Sequence, residues 1–239
     1  MRVRRDVNPN GDALSRVGGI SALAIGTAYL VTVVLYAQVG PPPSGGVASL
    51  VYFAAKTTVW WAILGLSVAT DVLYIPVALS LYFALKDLNR NAMLVATALV
   101  GLFVVLDLAV TWSNFASLIV LSGDYAAAAN DAQRAADVAA ASYASAVLTS
   151  PLERVYAIVI LSSGILVIGL VMLKGVFRKT TAYLGLVTGV LGIVSIAGLG
   201  VTIILNALCA TVWVLLVGYR LYRLGRAAEE ETSAAVVER

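Results

Sequence analysis

Six long apolar stretches, separated by polar segments, run through the 239 residues of the chain. An α-helix needs about 20 residues to cross a bilayer, and each stretch has about that length or more. The pattern predicts an all-α polytopic membrane bundle of six transmembrane helices, at about residues 17–39, 59–85, 92–121, 155–173, 181–199 and 202–222. Residues 1–16 then form a polar cytoplasmic leader before this domain of residues 17–226, and residues 227–239 form a cytoplasmic tail.

The basic residues collect in every second gap between the apolar stretches. These gaps contain Arg2, Arg4, Arg5 and Arg16, then Lys86 and Arg90, then Lys174, Arg178 and Lys179, then Arg220, Arg223 and Arg226. The other three gaps contain only Lys56, Arg134 and Arg154. Basic loops are retained on the cytoplasmic side of a membrane. We therefore expect a protein of the cytoplasmic membrane with both termini in the cytoplasm.

The composition excludes several classes of protein. Hydrophobic residues make up 61% of the chain and charged residues 12%, which is outside the range of soluble domains. There is no His and a single Cys209, so a transition-metal or haem site is not expected, and neither is any other cofactor. Topology and contact with anionic lipid account for the basic excess, so the bilayer, and not nucleic acid, is the expected partner.

The segment at residues 123–153 is the one long external loop that the pattern predicts. It is rich in alanine, and Asp131, Arg134 and Asp137 recur every three residues, which places them on one helical face. We expect an extracytoplasmic helix across the mouth of the bundle, between the third and fourth membrane helices. A seventh membrane span is the competing interpretation, but charges in mid-segment make it costly.

Two patterns concern the second predicted helix. Val47–Thr58 is apolar but short, which predicts an interfacial or re-entrant piece leading into that helix. Trp60 and Trp61 would lie at the outer membrane boundary, where indoles favour the headgroup zone. Pro76 predicts a kink further along.

Small residues recur at helical spacing in the first and fifth predicted helices. Such rows let membrane helices approach closely. They predict helix-packing positions at Gly18, Ala22 and Gly26 and at Gly185, Gly189 and Gly192.

Two acidic side chains fall inside the apolar stretches, Asp71 in the second predicted helix and Asp107 in the third. Asp71 lies 15 residues before Lys86, and Asp107 lies 17 residues after Arg90. At a rise of about 1.5 Å per residue, both acids stand roughly 22–26 Å from the basic ends of their helices. The two helices form an antiparallel hairpin, so we expect the acids at nearly the same depth, with Asn206 of the sixth helix close to that level.

Further polar residues accompany these acids. Ser67 and Tyr74 share the face of the acid on the second helix, and Thr111 and Asn114 share the face of the acid on the third. Apart from Arg220 at the basic end of the sixth span, no Lys or Arg lies within the spans. Each carboxyl must therefore be protonated, share a proton, bind a cation or meet water. We expect at least one of the two to be neutral at pH 7.

This polar layer has two interpretations. It is either a proton or cation site, or the floor of a ligand pocket, because intramembrane acids are functional by default. Alternatively, two neutral carboxyls connect helices 2, 3 and 6 through hydrogen bonds, since membrane bundles also use polar residues to hold helices together.

Several segments resemble a family of prokaryotic six-helix membrane proteins classed only as a domain of unknown function. The resemblance lies in Arg16-Val17-Gly18-Gly19-Ile20 at the start of helix 1 and in Val77–Leu85 at the end of helix 2. The long external loop and the glycine-rich fifth helix are similar as well. The resemblance implies a six-span α-helical bundle and no activity.

The sequence is consistent with three functions. The first is a non-enzymatic structural, accessory or sensory membrane protein, in a homo-oligomer or a larger complex. The second is a small proton- or cation-linked carrier that uses Asp71 and Asp107. The third, an enzyme acting on lipid, requires Glu153 or Asp124 to converge on the polar layer, and the sequence identifies no catalytic residue.

Overall fold

A computed structural model describes the backbone of residues 9–175 and 177–237 and the side chains of residues 13–175 and 177–227. The leader up to residue 8 and the last two residues of the tail lie outside this part. Seven helices follow one another: α1 Pro9–Val39, α2 Gly46–Leu85, α3 Arg90–Ala127, α4 Asp131–Thr149, α5 Pro151–Met172, α6 Lys179–Ala197 and α7 Gly200–Val237.

Six helices of the described part, all except α4, are long and apolar enough to cross a bilayer. The prediction of an all-α bundle with six long apolar helices is therefore confirmed, and the chain is a multi-pass membrane protein. The alanine-rich segment forms α4, which is not one of the six. The side of the membrane that each terminus and α4 face stays a prediction.

The six long helices form a closed ring. Along the ring each helix packs against the next in the order α1, α2, α3, α5, α6 and α7, and α7 returns to α1 in one of the most extensive contacts of the fold. The α4 helix packs outside this order, against α2 and the second half of α3. The end of the bundle that carries α4 is called the α4 end below.

Local polar residues fix the starts of three helices. Oδ1 of Asn89 accepts a 3.1 Å hydrogen bond from the Ala92 amide at the start of α3. Oδ1 of Asn130 accepts a 2.9 Å bond from the Gln133 amide at the start of α4. Ser150 caps α5, and Pro151 follows at the first helical position, where its missing N–H costs nothing.

The second helix begins earlier than its hydropathy suggests. Residues 47–58 belong to α2, and its backbone leaves helical geometry at Lys56 (φ −132°, ψ 20°) and not at Pro76. The Lys56 ammonium lies 4.2 Å from the centre of the Tyr52 ring and donates a hydrogen bond to the Val39 carbonyl at the end of α1. The expected interfacial piece is therefore an extension of α2 that packs against the end of α1 and against α4.

Candidate functional site

Two hydrophobic cores fill the bundle. The larger core joins α1, α2, α3, α5, α6 and α7, whereas the smaller core joins the end of α1 with α2, α3 and α4 at the α4 end. A cavity of about 460 Å³ lies where the two cores meet, since Phe103 and Leu161 of its lining belong to the larger core and Leu118 belongs to the smaller one. Pro42, Pro43 and residues of α4 also line it, so the cavity lies toward the α4 end.

Three carboxyl groups line this cavity: Asp71 from α2, Asp107 from α3 and Glu153 from α5. Asp71 is 3% exposed and Asp107 is 4% exposed. Their carboxyls lie close enough to interact with each other, and these two residues are called the acidic pair below. No Lys or Arg is among the described residues that line the cavity. The lining is therefore acidic, with Arg154 beside Glu153 but outside the lining.

Several buried oxygens at the cavity have no hydrogen-bond partner in the described part of the chain. They are Oδ2 of Asp71, Oδ1 of Asp107 and Oγ1 of Thr111, whose residue is 4% exposed. A buried polar atom without a partner costs about 1–3 kcal/mol, and a charged one costs more. All three atoms belong to residues that line one cavity. Buried polar atoms without partners are typical of a site for a polar ligand.

The other oxygen of Asp107 is held by its own helix. Nε1 of Trp112 donates a 3.1 Å hydrogen bond to Oδ2 of Asp107. Residues 107–112 form one stretch of π-helix within α3, whose hydrogen bonds join residues five apart. This geometry brings the side chains of Asp107 and Trp112, which are five residues apart, to the same face.

A second π-helical stretch, Val155–Val159 of α5, contacts the first one. Its residue Ala157 lines the cavity, and Glu153 lies two positions before the start of the stretch. Single π-helical turns within α-helices occur frequently at functional sites. Here two of them lie side by side on the wall that carries Asp107.

Five aromatic side chains complete the wall, and they are called the aromatic lining below: Tyr29, Tyr36, Phe103, Trp112 and Phe115. The Phe115 ring stacks on the buried Trp60 ring with centroids 5.2 Å apart, and Trp112 lies 5.5 Å from Phe115. These ring contacts hold the aromatic lining in place.

The loop between α1 and α2 and the α4 helix border the cavity at the α4 end. The Gly45 amide donates a 2.9 Å hydrogen bond to Oγ of Ser145, which ties this loop to α4. Gly45 has a φ of 96°, a conformation that favours glycine. Ser145 and Thr149 of α4 and Pro43 of the loop therefore form part of the cavity wall.

Five of the seven residues predicted from the sequence for the polar layer lie at or beside the cavity. Ser67 and Thr111 line it together with the acidic pair. Tyr74 lies directly behind the lining, where its hydroxyl accepts a 3.1 Å hydrogen bond from the Tyr29 hydroxyl.

The other two residues do not belong to this group. Asn114 donates a 2.7 Å hydrogen bond to the Val110 carbonyl of its own helix and does not line the cavity. Asn206 donates to the Thr188 carbonyl at 2.8 Å and to Oγ of Ser162 at 3.4 Å, between α5, α6 and α7. Although Asn206 has a depth in sequence similar to that of the acids, its side chain faces another interface.

The predicted small-residue rows face neighbouring helices of the same chain. Space for a β-carbon at Gly18 is taken by Ser80 and the Pro76 carbonyl of α2, and Ala22 is fully buried. The remaining row members contact Leu215 and Trp213 of α7 or Leu166 and Ser162 of α5; these members are Gly26, Gly185, Gly189 and Gly192. The predicted rows therefore pack against neighbouring helices of the same chain.

The main interpretation of the sequence missed part of the lining. The sequence suggests Glu153 only as a residue that a lipid-active enzyme would need. Asp124, the other residue suggested for that enzyme, is exposed on α3 and does not line the cavity. Trp60 was expected at the membrane boundary but is fully buried, because α4 and the extended start of α2 cover it. Its neighbour Trp61 is 45% exposed, as a boundary residue would be.

Among the described residues, no group of three or more His, Cys, Asp or Glu side chains could hold a metal ion. The three acids of the cavity are thus distributed around its wall and do not converge on one point. No family model, no curated protein and no solved structure matches the chain. The likeness to the six-helix family of unknown function stays a resemblance of pattern.

Proposed function

We propose that this multi-pass membrane protein is a small carrier that binds a cation at the acidic pair in exchange for a proton. The observation that carries the proposal is the meeting of Asp71 and Asp107 in one cavity, where each retains a carboxyl oxygen without a hydrogen-bond partner. The protein acts by binding and not by catalysis.

The proton follows from the cost of buried charge. A single charged Asp at mid-bilayer costs about 2.5–3.5 kcal/mol on insertion scales, and two carboxylates in contact repel each other in addition. The other titratable groups that line the cavity are Tyr29 and Tyr36 of α1 and Glu153 of α5, none of which supplies a positive charge. Tyr74 lies behind the lining, and the positive charge of Arg154 lies beside Glu153 outside the lining. The empty site therefore holds protons, and an entering cation replaces one of them with no change in net charge.

The distribution of basic residues supports an orientation for the cavity. Lys86, Arg90, Arg178 and Lys179 lie in the turns opposite the α4 end. Because basic turns remain in the cytoplasm, the α4 end then faces outward, both termini face inward, and the cavity loads from outside the cell.

A lipid-active enzyme has less support. Although Glu153 reaches the cavity, a phosphate headgroup is negative and would meet three carboxyls with no basic group in the described lining. Electrostatic attraction therefore favours a cationic ligand over a phospholipid substrate. A purely structural or accessory role also has less support, because the small-residue rows that suggested assembly pack within the chain.

The proposal is tested in liposomes that contain the purified protein and a pH-sensitive dye. Inward gradients of sodium, potassium or choline chloride are applied in turn. We expect at least one salt to raise the internal pH as the cation enters and a proton leaves, and we expect the Asp71→Asn/Asp107→Asn double variant to abolish the change. The control Asp124→Asn makes the same substitution at an exposed site of α3 and should behave as wild type.

No internal pH change with any of the three salts, relative to protein-free liposomes, would overturn the proposal. An undiminished change in the double variant would overturn it as well.

A further inference from the structure

We infer that the cation is a small organic ammonium ion, held with its charge against the acidic pair and its alkyl groups against the aromatic lining. This inference rests on the proposed cation binding and adds the chemical class of the ligand. Three independent features of the cavity support it: its volume, its aromatic wall and the arrangement of its acids.

The volume is too large for a bare inorganic ion. Small-molecule sites occupy about 300–1,000 Å³, whereas one water molecule has a share of about 30 Å³ in the liquid. The cavity of about 460 Å³ falls within the range for small molecules. An alkali ion would leave most of this space to water, whereas an alkylammonium ion would fill much of it.

The aromatic lining provides what an alkylammonium ion uses and a hydrated metal ion does not. Ring faces attract cations within about 6 Å of the ring centre, and quaternary ammonium groups are recognised by cages of such rings. The hydrogen bond from Trp112 to Asp107 brings an indole beside one carboxyl of the acidic pair. One cation can therefore contact a carboxylate and an aromatic ring together.

The arrangement of the acids also disfavours a metal. Divalent cations such as Ca²⁺ and Mg²⁺ need several oxygen ligands that converge on one point at about 2.0–2.6 Å. In the described part of the chain no three acids form such a group. Dispersed carboxyls suit the dispersed charge of an organic cation.

The test measures binding of choline to the purified protein by titration calorimetry. The neutral isostere 3,3-dimethylbutan-1-ol has the shape of choline without its charge and serves as the matched ligand. We expect choline to bind at least tenfold more tightly than the alcohol, and we expect the Asp71→Asn/Asp107→Asn variant to lose that difference. Equal affinity for the two ligands, or no binding of choline, would overturn the inference.

A variant of the wall tests the aromatic contribution. Phe115→Leu retains an apolar side chain but removes a ring of the lining, and it should weaken choline binding by about 2–30-fold with little effect on the alcohol. The control Phe83→Leu makes the same change on the outer surface of α2, where Phe83 is exposed, and should leave the affinity unchanged. An unaltered choline affinity in folded Phe115→Leu would count against the aromatic cage. If this variant fails to fold, the difference between the affinities of wild-type protein for choline and for the neutral alcohol still tests the inference.

The ammonium group can belong to a free ion or to a lipid headgroup, and nanodiscs distinguish these sources. If phosphatidylcholine occupies the site, free choline should bind more weakly in phosphatidylcholine discs than in phosphatidylglycerol discs. Equal affinity of the protein for free choline in the two kinds of disc would show that the site binds a free ion.

The inference and the carrier proposal fail separately. A pH response to sodium or potassium together with no choline binding overturns the ligand class and leaves the carrier. Choline binding without any gradient-driven pH change overturns the carrier and leaves the ligand class.

Discussion

The indole nitrogen of Trp112 donates a 3.1 Å hydrogen bond to the carboxylate of Asp107, five residues earlier on the same helix. In a regular α-helix, residues five apart point in directions about 140° different, since each residue turns the helix by about 100°. The π-helical stretch over residues 107–112 reduces this difference. A local change of backbone geometry thus places a donor and an aromatic ring beside one buried acid.

Trp112→Phe should destabilise the protein and weaken choline binding, because it removes the donor while retaining a ring. We expect a loss of about 1–2 kcal/mol in the free energy of unfolding, as for a buried hydrogen bond. Thermal unfolding followed by circular dichroism in detergent provides the measurement. Trp61→Phe is the control on an exposed tryptophan and should change stability by less than about 0.5 kcal/mol. Equal effects of the two substitutions would contradict the assigned bond.

Asp71→Asn should stabilise the protein at pH 8 by up to about 3 kcal/mol, the insertion cost of a charged Asp. At high pH the native carboxyls must either be buried as charges or take up protons when the protein folds, and the substitution removes this cost for one of them. At pH 5 the native carboxyls are protonated and the amide resembles them. The stabilisation is therefore present at high pH and disappears as the pH falls. Unfolding temperatures at both pH values measure it, with Asp124→Asn as the exposed control. A loss of stability at pH 8 would show that Asp71 is ionised and paired.

Gly192→Ala should cost about 1–3 kcal/mol through overpacking, because its new methyl group would collide with the Ser162 side chain and lie 2.9 Å from Nδ2 of Asn206. Gly101→Ala is the matched control on α3, where no atom lies within 4 Å of the new methyl group. There alanine should be neutral or stabilising by up to about 1 kcal/mol. Thermal unfolding compares the two variants, and similar stabilities would mean that α5 and α6 do not pack so closely.

Asn206→Ala should destabilise the bundle by about 1–2 kcal/mol without changing choline affinity. It removes the hydrogen bonds to Thr188 and Ser162 that join α5, α6 and α7. None of these three residues lines the cavity that contains the acidic pair. Asn114→Ala removes only a bond within one helix and should have a smaller effect. Calorimetry on both variants measures the affinity. A large loss of choline affinity in Asn206→Ala would place this residue in the binding site after all.

The similar heights of Asp71 and Asp107 along their helices follow from the sequence, because each helical residue adds a fixed rise. Counting residues from Lys86 and Arg90 places the two acids at similar heights on antiparallel neighbours, and the structure has both in the lining of one cavity. The same count failed for Asn206, since height does not define the direction in which a side chain points. The position of α7 in the closed ring turns this residue toward α5 and α6.

Other parts of the site leave no comparable signal. Tyr29 and Tyr36 resemble the aromatic residues that face lipid in any membrane helix, so their place in the cavity depends on how α1 is rotated in the ring. The π-helical stretches are changes of backbone hydrogen bonding within sequences of ordinary apolar composition. Glu153 reaches the wall only because α5 begins at Pro151 and meets α4 there.

The most direct test of the cation site is the release of protons when choline chloride, and then potassium chloride, is added to the purified protein in weakly buffered solution. Wild type should release up to about one proton per chain with at least one of the salts, by linkage between proton and cation binding. The Asp71→Asn/Asp107→Asn variant should release none. No release from wild type, or the same release from the variant, would contradict a cation site at Asp71 and Asp107.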